Sequence, residues 1–531
     1  MSETQTSQWS LSDVAVALAV PPRRMLSGWS AAGVSIDSRS LQPGEIFVCV
    51  RGERTDGHEY IRQALAAGAA ALVVEEQAAL VKDLGLPHPT QPIAVFLVED
   101  GLIALQELAR FHRNRMSGRV FGITGSNGKT SAKEMLAGML AALPDPASGT
   151  TSAADQSKQS DQSKKTKQTG PAKQTGQTIG PENVAATHGN LNNHFGVPLT
   201  LLAMPADIPY AVVEMGMNHA GEIELLSRIA RPHRALITGV APVHIENFPD
   251  LTGIARAKLE IAAGLSPGGS LVYPAAATGQ ELARAAARSA RAELIVFSVG
   301  DIESPGAGGI RFAWRDLRIH APAYHNPVMA SNLTAVLELL NAEGFAPKDL
   351  ASAAATVTPR TGRRFEIIKK PRGAAGPEGD AGVAPQLLVD DSYNANPTSF
   401  IRAAEALRAL LPEGRLACFA GEMGELGPEH GLAGHREVGA VLARQGYEFV
   451  GVCGGKHAEA LKDTFVEATA KSGKIAGQAT GPHASVQDLL AELEAGAGLS
   501  GLAGYDGVLI KGSRSARMDV LCDALRKHSY I

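Results

Sequence analysis

The chain has 531 residues, of which 44% are hydrophobic and 20% are charged. This composition supplies enough apolar side chains for ordinary buried cores, so it excludes a wholly disordered or collagen-like chain. At roughly 150 residues per domain, the length favours about three domains. Fifty basic and 54 acidic side chains leave a net charge of -4, which gives no general attraction to nucleic acid or to an anionic membrane.

The cysteines and the apolar segments indicate the cellular compartment in which the protein is expected to fold. Cys49, Cys418, Cys453 and Cys522 are far apart and form no C-x-x-C pair, so we expect buried free thiols rather than a zinc or dithiol site. No run reaches the roughly 18 apolar residues needed to span a bilayer. No basic segment precedes the short apolar stretch at 14–20. We therefore expect a soluble cytoplasmic protein.

The first part of the chain alternates short apolar segments with polar turns. The pattern predicts strands at 46–50 and 70–74 and helices at 61–67 and 104–115. The second helix ends in basic residues, and a new strand is predicted at 120–124. We therefore place the first domain boundary at residue 115.

Residues 144–182 have a different composition. The tetrapeptide DQSK occurs at 155 and 161, and KQTG occurs at 167 and 173. Almost no side chain there can bury apolar area, so the segment cannot offset its ordering entropy. We predict a disordered low-complexity insertion, and a second Gly/Pro-rich insertion at 371–385.

The rest of the chain alternates strands with helices, which is typical of mostly parallel sheets covered on both faces. The fold class is therefore α/β, with predicted domains at 1–115, 116–357 and 358–531. A helix at 332–341 closes the middle unit. The predicted strands of the last two units are 211–214, 235–238, 270–273, 294–298, 387–389, 415–419, 449–453 and 507–510.

The most informative stretch, residues 122–130, reads Gly-Ile-Thr-Gly-Ser-Asn-Gly-Lys-Thr between a predicted strand and a helix at 131–140. Such a loop binds phosphates through backbone N–H groups and a helix N-terminus. Lys129 supplies a charge to the outer phosphates, and the Thr130 hydroxyl can ligate Mg²⁺. The general P-loop spacing would place glycine at position 123, where this chain has isoleucine. The register of Gly, Lys and Thr still predicts ATP or GTP binding.

Three clusters follow the loop in the sequence. Glu214 ends an apolar strand, where α/β sheets place their chemistry. His244 and Glu246 follow another strand, and Lys258 lies on the next helix. Each alone could be a strand end, a surface histidine or a solvated lysine. Their joint order after a phosphate loop indicates a functional site.

Further strings resemble the Mur ligases, the ATP-dependent amide-forming family of peptidoglycan precursor synthesis. These motifs begin at residues 36, 51, 187, 390, 421 and 511. The resemblance extends over nearly the whole chain apart from the two insertions. Asp-Asp-Ser-Tyr-Asn-Ala-Asn-Pro at 390–397 and Lys-Gly-Ser-Arg at 511–514 resemble the branch that adds D-alanyl-D-alanine. The resemblance implies a small N-terminal uridine-nucleotide domain, a central P-loop NTPase-like domain and a C-terminal Rossmann-like ligase domain.

The resemblance also implies roles for individual residues. Catalysis is expected from Lys129, Glu214, His244 and Lys258. Metal binding is expected from Thr130, Glu214, His244 and a carbamylated Lys258. The expected ATP contacts are Gly125, Ser126, Asn127, Gly128, Lys129, Thr130, Ser131, Asn332, Arg363 and Asp391. The expected substrate contacts are Ser38, Arg39, Asn190, Asn193, Tyr393, Asn394, Asn396, Lys511 and Arg514.

By this resemblance the ligands are ATP, Mg²⁺, UDP-N-acetylmuramoyl-tripeptide and D-alanyl-D-alanine, and a monomer with no nucleic-acid or membrane partner is expected. Two kinds of alternative remain open. One is a related amide ligase, either the Mur ligase that adds the third stem residue or a folylpolyglutamate synthetase-like enzyme. The other is a nucleotide-binding switch or scaffold without ligase activity.

Overall fold

The computed structural model describes most of the chain. His244, residues 147–177 of the low-complexity segment and the Gly/Pro-rich segment at 371–385 lie outside the described residues, and the predictions made for them stay predictions. The described residues are 9–23, 26–53, 55–75, 93–146, 178–243, 245–306, 309–325, 327–358, 362–369, 387–472, 477–495, 502 and 504–527.

The N-terminal unit contains a four-stranded parallel sheet. Its strands, in spatial order, are Val34–Ser35, Ile46–Val48, Ala71–Glu75 and Ala94–Val98. A separate antiparallel pair joins Trp9–Ser10 to Ser30–Ala31. The helices are Leu11–Leu18, Ile61–Ala66 and Gly101–Arg115, with a 3₁₀ turn at Gly57–Tyr60.

The helix Gly101–Arg115 connects this unit to the middle one. Asp100 caps its start by accepting the backbone N–H of Ile103 at 2.9 Å. Near its end, the buried Arg113 donates to the carbonyls of Ala230 at 2.7 Å and Arg231 at 2.9 Å. These bonds satisfy carbonyls at the C-terminus of a helix in the middle unit. The apolar face of the same helix packs in one core with the central sheet.

The central sheet has six parallel strands. The strand Arg119–Thr124 lies between Arg234–Ile237 and Tyr210–Glu214. Because parallel strands end at one edge, the loop after Thr124 emerges beside Glu214 on one side and Thr238 on the other. The other strands are Val184–Ala186, Ser270–Pro274 and Glu293–Phe297.

Helices cover both faces of this sheet, as the sequence predicts. They are Lys129–Ala142, Gly196–Leu202, Glu222–Ala230, Leu251–Leu259, Gln280–Ser289, Pro327–Glu343 and Pro347–Thr356. Short 3₁₀ turns are Pro181–Asn183, Ile245–Asn247 and Glu260–Gly264.

A three-stranded antiparallel sheet was not predicted from the sequence. Its strands are Ile302–Gly306, Gly309–Trp314 and Leu317–Ala321. The alternation of buried and exposed side chains along Gly309–Trp314 fits a sheet with one face on the core. The predicted helix at 332–341 is longer than expected and spans Pro327–Glu343.

The C-terminal unit has a six-stranded sheet. Its strands, in spatial order, are Glu366–Lys369, Leu387–Asp391, Gly507–Lys511, Leu416–Gly421, Tyr447–Cys453 and Gln478–His483. Only the first is antiparallel to its neighbour. The helices are Pro397–Leu410, Gly427–Arg444, Lys456–Ser472, Val486–Ala495 and Asp519–Lys527, with a 3₁₀ turn at Arg514–Ala516.

The α/β class with three units and a mostly parallel central sheet is therefore confirmed. The ends of the predicted 144–182 insertion differ from expectation, because Pro144 and Thr178 form a β-bridge and Ile179 is buried. All four cysteines are free and buried. Within the described ranges, no helix is both long and apolar enough to cross a membrane.

Candidate active site

The phosphate loop lies between the strand Arg119–Thr124 and the helix Lys129–Ala142. Contacts with the segment that follows the strand Arg234–Ile237 hold this loop in place. The Ser126 hydroxyl donates to the Ala241 carbonyl at 3.0 Å and accepts the Ala241 N–H at 2.9 Å. The Thr238 hydroxyl donates to the Asn127 carbonyl at 2.5 Å. The Ser126 N–H donates to the Gly239 carbonyl at 3.0 Å, so the loop is fixed in a conformation in which its other N–H groups can face a phosphate.

Two glycines in the loop are required by their surroundings. Gly125 has φ 149°, and a Cβ there would lie 2.0 Å from the Thr238 hydroxyl oxygen. Gly128 has φ 81°, and a Cβ there would lie 2.6 Å from the amide of Asn332. Asn332 is buried on the helix Pro327–Glu343. The predicted ATP contact Asn332 therefore packs directly against the loop.

Gly128→Ala is expected to weaken ADP binding at least tenfold, because the added methyl group meets Asn332 and strains a left-handed backbone. Calorimetric titration with ADP measures this. Gly344→Ala is the matched control, since Gly344 has φ 109° with nothing within 4 Å of a Cβ. Equal ADP affinity in the two variants would contradict the role given to this contact.

Lys129 lies at the N-terminus of the loop's helix. Its ammonium donates to the Gly125 carbonyl at 2.7 Å, and the Ser126 carbonyl is at 3.5 Å. Burial lowers the pKa of Lys129 below its usual value, and Glu214 opposes this shift. The charge therefore lies over the loop, where the outer phosphates of a nucleotide would bind.

Glu214 is 1% exposed and lies beside the loop. One carboxylate oxygen accepts the Thr130 hydroxyl at 2.8 Å, and the other accepts the Asn192 amide at 2.8 Å. Its backbone N–H donates to the Thr187 hydroxyl at 2.9 Å. The structure thus brings together the predicted residues Thr130 and Glu214. Oxygen donors of this kind suit Mg²⁺, which is held by one or two carboxylates together with substrate phosphates.

Asn192 was missed by sequence reasoning, which singled out Asn190 and Asn193. The string Thr187-His-Gly-Asn-Leu-Asn-Asn193 contains three asparagines, and its spacing does not tell which one faces Glu214. The Asn193 side chain instead accepts the N–H groups of Phe195 at 3.2 Å and Gly196 at 2.9 Å, at the start of a helix. Asn190 is exposed.

Lys258, a predicted metal-site residue, is buried on the helix Leu251–Leu259. Burial lowers the pKa of Lys258 well below its usual value, the charge of Lys129 adds to the shift, and Glu260 opposes it. The surroundings therefore favour the neutral amine, which is the form that reacts with carbon dioxide. Among the residues that the structure describes, no three His, Cys, Asp or Glu side chains form a metal-binding group.

The predicted residues of the C-terminal unit fall into two groups. Asp391 and Lys511 form a buried pair at 2.7 Å, and the Lys511 ammonium also donates to the Asn394 carbonyl at 3.0 Å. Burial raises the pKa of Asp391, and Lys511 opposes this. Arg363 bonds to Asp523 at 2.8 Å and to the Asp519 carbonyl at 3.1 Å. These three charged side chains are therefore already engaged within the unit.

The second group is Tyr393, Asn396 and Arg514, of which Asn396 contacts the phosphate loop. The guanidinium group of Arg364 is 3.7 Å from the centroid of the Tyr393 ring, and that of Arg514 is at 5.5 Å. The Asn396 amide donates to the Asn127 side-chain oxygen at 2.7 Å. The positive charge of Arg364 also contributes to the low pKa of Lys129.

A cavity of about 460 Å³ opens at the carboxyl ends of the C-terminal strands. Its lining includes Glu422, Glu425, Gly427, His457 and Arg517. At its rim, a Cβ on Gly427 would lie 3.4 Å from the Cβ of Glu246 in the central unit. This edge of an α/β sheet is where ligands bind, so the cavity is a candidate second substrate site.

The predicted uridine-site residues lie on a loop of the N-terminal unit. Ser38 is buried, and its hydroxyl donates to the Gln63 side chain at 3.0 Å. Arg39 is exposed and forms a two-bond pair with Asp37 at 2.9 and 2.6 Å. Arg39 holds the pKa of Asp37 at about 2. Among the described residues, no hydrogen bond or ion pair joins Ser38 or Arg39 to the phosphate loop.

Comparison with known proteins assigns the family. Three family models match this chain, for the Mur ligase family catalytic domain at residues 30–113, the Mur ligase middle domain at 123–307 and the Mur ligase glutamate ligase domain at 363–514. A ligase of Bacillus subtilis is 33% identical over 421 residues, which is 77% of each chain. The chain belongs to the Mur ligase family.

The names of its relatives indicate one branch of the Mur ligase family. The UDP-N-acetylmuramoyl-tripeptide–D-alanyl-D-alanine ligase of Escherichia coli is 31% identical over 505 residues, covering 93% of this chain and 94% of the relative. The Bacillus subtilis protein has the same name. MurF from Acinetobacter baumannii has a similar fold, with a TM-score of 0.75 at 24% identity over 99% of this chain and all of that one.

A MurF ligase structure from Thermotoga maritima in complex with ADP also matches this Mur ligase. Its TM-score is 0.66 at 25% identity, over 93% of this chain and 97% of that one. The family resemblance stated from the sequence strings is therefore confirmed.

Proposed function

We propose that this protein is the ATP-dependent ligase that joins D-alanyl-D-alanine to UDP-N-acetylmuramoyl-tripeptide and forms the pentapeptide precursor of peptidoglycan. The observation that carries this is the phosphate loop with Thr130 bonded to Glu214 at 2.8 Å, in a chain whose relatives have that ligase name. We further propose a cytoplasmic monomer that uses Mg²⁺.

In the proposed reaction, the tripeptide carboxylate attacks the γ-phosphorus of ATP and releases ADP. The dipeptide amine then attacks the carbonyl carbon of the acyl phosphate, and the tetrahedral intermediate expels phosphate as the amine loses a proton. Two anions must approach each other in the first step, so fixed positive charge lowers its barrier. Lys129 and the loop N–H groups supply this charge, and Arg364 lies near enough to affect Lys129.

Thr130 and Glu214 are the described residues that would hold Mg²⁺, because their oxygens converge beside the phosphate loop. Bound Mg²⁺ would neutralise phosphate oxygens during transfer. Asn192 fixes the second Glu214 oxygen and so orients the carboxylate. His244 and a carbamylated Lys258 remain the proposed ligands of a second ion.

We place the dipeptide in the cavity at the end of the C-terminal sheet. A zwitterionic dipeptide needs an acid near its ammonium and a cation near its carboxylate. Glu422 and Glu425 line the cavity, and so does Arg517. Arg517 pairs with Asp519 at 3.1 Å, but its side chain is 62% exposed, so a substrate carboxylate can still reach the guanidinium. Lys511 is less suited than the sequence suggested, because Asp391 already neutralises it in a buried pair.

The test is a product assay with UDP-muramoyl-tripeptide, ATP and one amine at a time. We expect ADP release and pentapeptide formation with D-alanyl-D-alanine, and no product with D-alanine, lysine or diaminopimelate. Turnover only with a single amino acid would instead support a related amide ligase. Nucleotide binding without a product from any amine would support the switch or scaffold.

A further inference from the structure

The contact between Asn396 and Asn127 joins two parts of the molecule that are far apart in the sequence. Asn396 belongs to the C-terminal unit and starts the helix Pro397–Leu410, whereas Asn127 is in the phosphate loop. Their side chains meet at 2.7 Å across 269 positions of sequence. Asn396 is 8% exposed, so water competes poorly for this bond.

Asn396 is the donor in its hydrogen bond with Asn127 because its side-chain oxygen already caps the helix Pro397–Leu410. The Asn396 side-chain oxygen accepts the Ser399 N–H at 2.9 Å, which is a standard N-terminal cap. This leaves the amide N–H₂ of Asn396 to point away from its own helix, and it donates to the Asn127 oxygen. One side chain therefore caps a helix and contacts the phosphate loop at once.

Asn127 is held from both sides by this arrangement. Thr238 of the central unit donates to its backbone carbonyl at 2.5 Å, and Asn396 of the C-terminal unit donates to its side chain. The loop conformation that binds phosphate and the position of the C-terminal unit are thus joined through one residue. The cavity lies in the C-terminal unit and the phosphate loop lies in the central unit. The dipeptide amine can therefore attack the acyl phosphate only if the two units are correctly positioned relative to each other.

We propose that Asn396 is a positioning residue that couples the placement of the C-terminal unit to the conformation of the phosphate loop, rather than a contact for the dipeptide. This inference rests on the proposed function for its kinetic readout. Its binding readout is independent of which amine the enzyme uses.

The test is a double-mutant cycle with Asn396→Ser and Asn127→Ala. Serine keeps the helix cap but is too short to reach Asn127, so the fold is expected to survive. One lost neutral hydrogen bond corresponds to about a 3- to 10-fold loss in ADP affinity and in kcat/KM for the dipeptide. Because the two residues act through each other, Asn396→Ser should cost nothing further in the Asn127→Ala protein.

The matched control is Ser399→Ala. The Ser399 hydroxyl accepts the Asn396 N–H at 3.1 Å and donates to its carbonyl at 3.0 Å, so this change weakens the same helix start but leaves the Asn127 contact. We expect a lower unfolding temperature with unchanged ADP affinity and kinetics. A loss in this control equal to that of Asn396→Ser would assign the effect to the helix cap and overturn the proposal.

The outcomes separate the two proposals. Additive losses in the cycle, or wild-type behaviour of Asn396→Ser, would overturn the coupling even if the wild-type enzyme forms pentapeptide. A non-additive cycle in ADP affinity would support the coupling even if no dipeptide is ligated, and in that case the proposed function alone would fail.

Discussion

Glu214→Gln is expected to lower the rate of ligation by a factor on the order of 100 to 1000, with little change in the unfolding temperature. Glutamine has nearly the same shape and can still contact Thr130 and Asn192, which bond to the two carboxylate oxygens at 2.8 Å. It loses the negative charge that would hold Mg²⁺ beside the phosphates. A hydrogen-bonding role alone would survive the exchange, whereas a metal-binding role would not.

The measurement is steady-state ADP release at several Mg²⁺ concentrations. We expect the variant to need more Mg²⁺ and to reach a lower maximal rate. Glu338→Gln is the matched control, because Glu338 is a partly buried carboxylate paired with Trp314 and Arg315 outside the site. A wild-type rate and Mg²⁺ dependence in Glu214→Gln would refute the metal-binding role.

Lys258→Ala is expected to lose ligation by a factor on the order of 1000, and a short carboxylate such as acetate added in solution should restore part of it. The reason is electrostatic. A bare ammonium would repel a metal ion, whereas a carbamate is an anion that can bind one. Burial and the nearby Lys129 favour the neutral amine of Lys258, and the neutral amine is the form that attacks the carbon of carbon dioxide and loses a proton to give the carbamate.

Lys133→Ala is the matched control for this rescue. Lys133 is also a buried lysine, 1% exposed, but its ammonium donates to the Thr187 carbonyl at 2.6 Å and pairs with Glu134 at 2.9 Å. Its loss removes a structural bond, and acetate should not replace it. The carbamate role would be wrong if Lys258→Ala kept its activity, or if acetate rescued both variants equally.

The local chemistry of the site could be predicted from the sequence. The run from Gly122 to Thr130 contains a strand end, a loop and a helix start, so its phosphate-binding geometry depends on neighbours in the chain. Glu214 could be placed because parallel strands end at one edge of a sheet. The structure puts its carboxylate against the Thr130 hydroxyl, in agreement with that reasoning.

The residues of the C-terminal unit were harder to predict. Lys511 was expected to bind a substrate carboxylate. Its positive charge and its place in the Lys-Gly-Ser-Arg motif did not indicate that an acidic side chain of the protein already pairs with it. In the fold, the strands Leu387–Asp391 and Gly507–Lys511 are neighbours, and their register places Asp391 opposite Lys511. A sequence pattern cannot show this, because the pairing of two strands 120 positions apart depends on the whole sheet.

The sequence by itself determined the fold class and the family and predicted the phosphate loop, because each can be recognised from patterns and motifs that are local in the chain. The tertiary structure decided which polar side chains are engaged and which remain available. It selected Asn192 over its neighbours as the partner of Glu214, and it turned Asn396 toward Asn127. The physical reason is that a hydrogen bond needs two groups within about 3 Å, and for groups distant in the chain only packing fixes that distance.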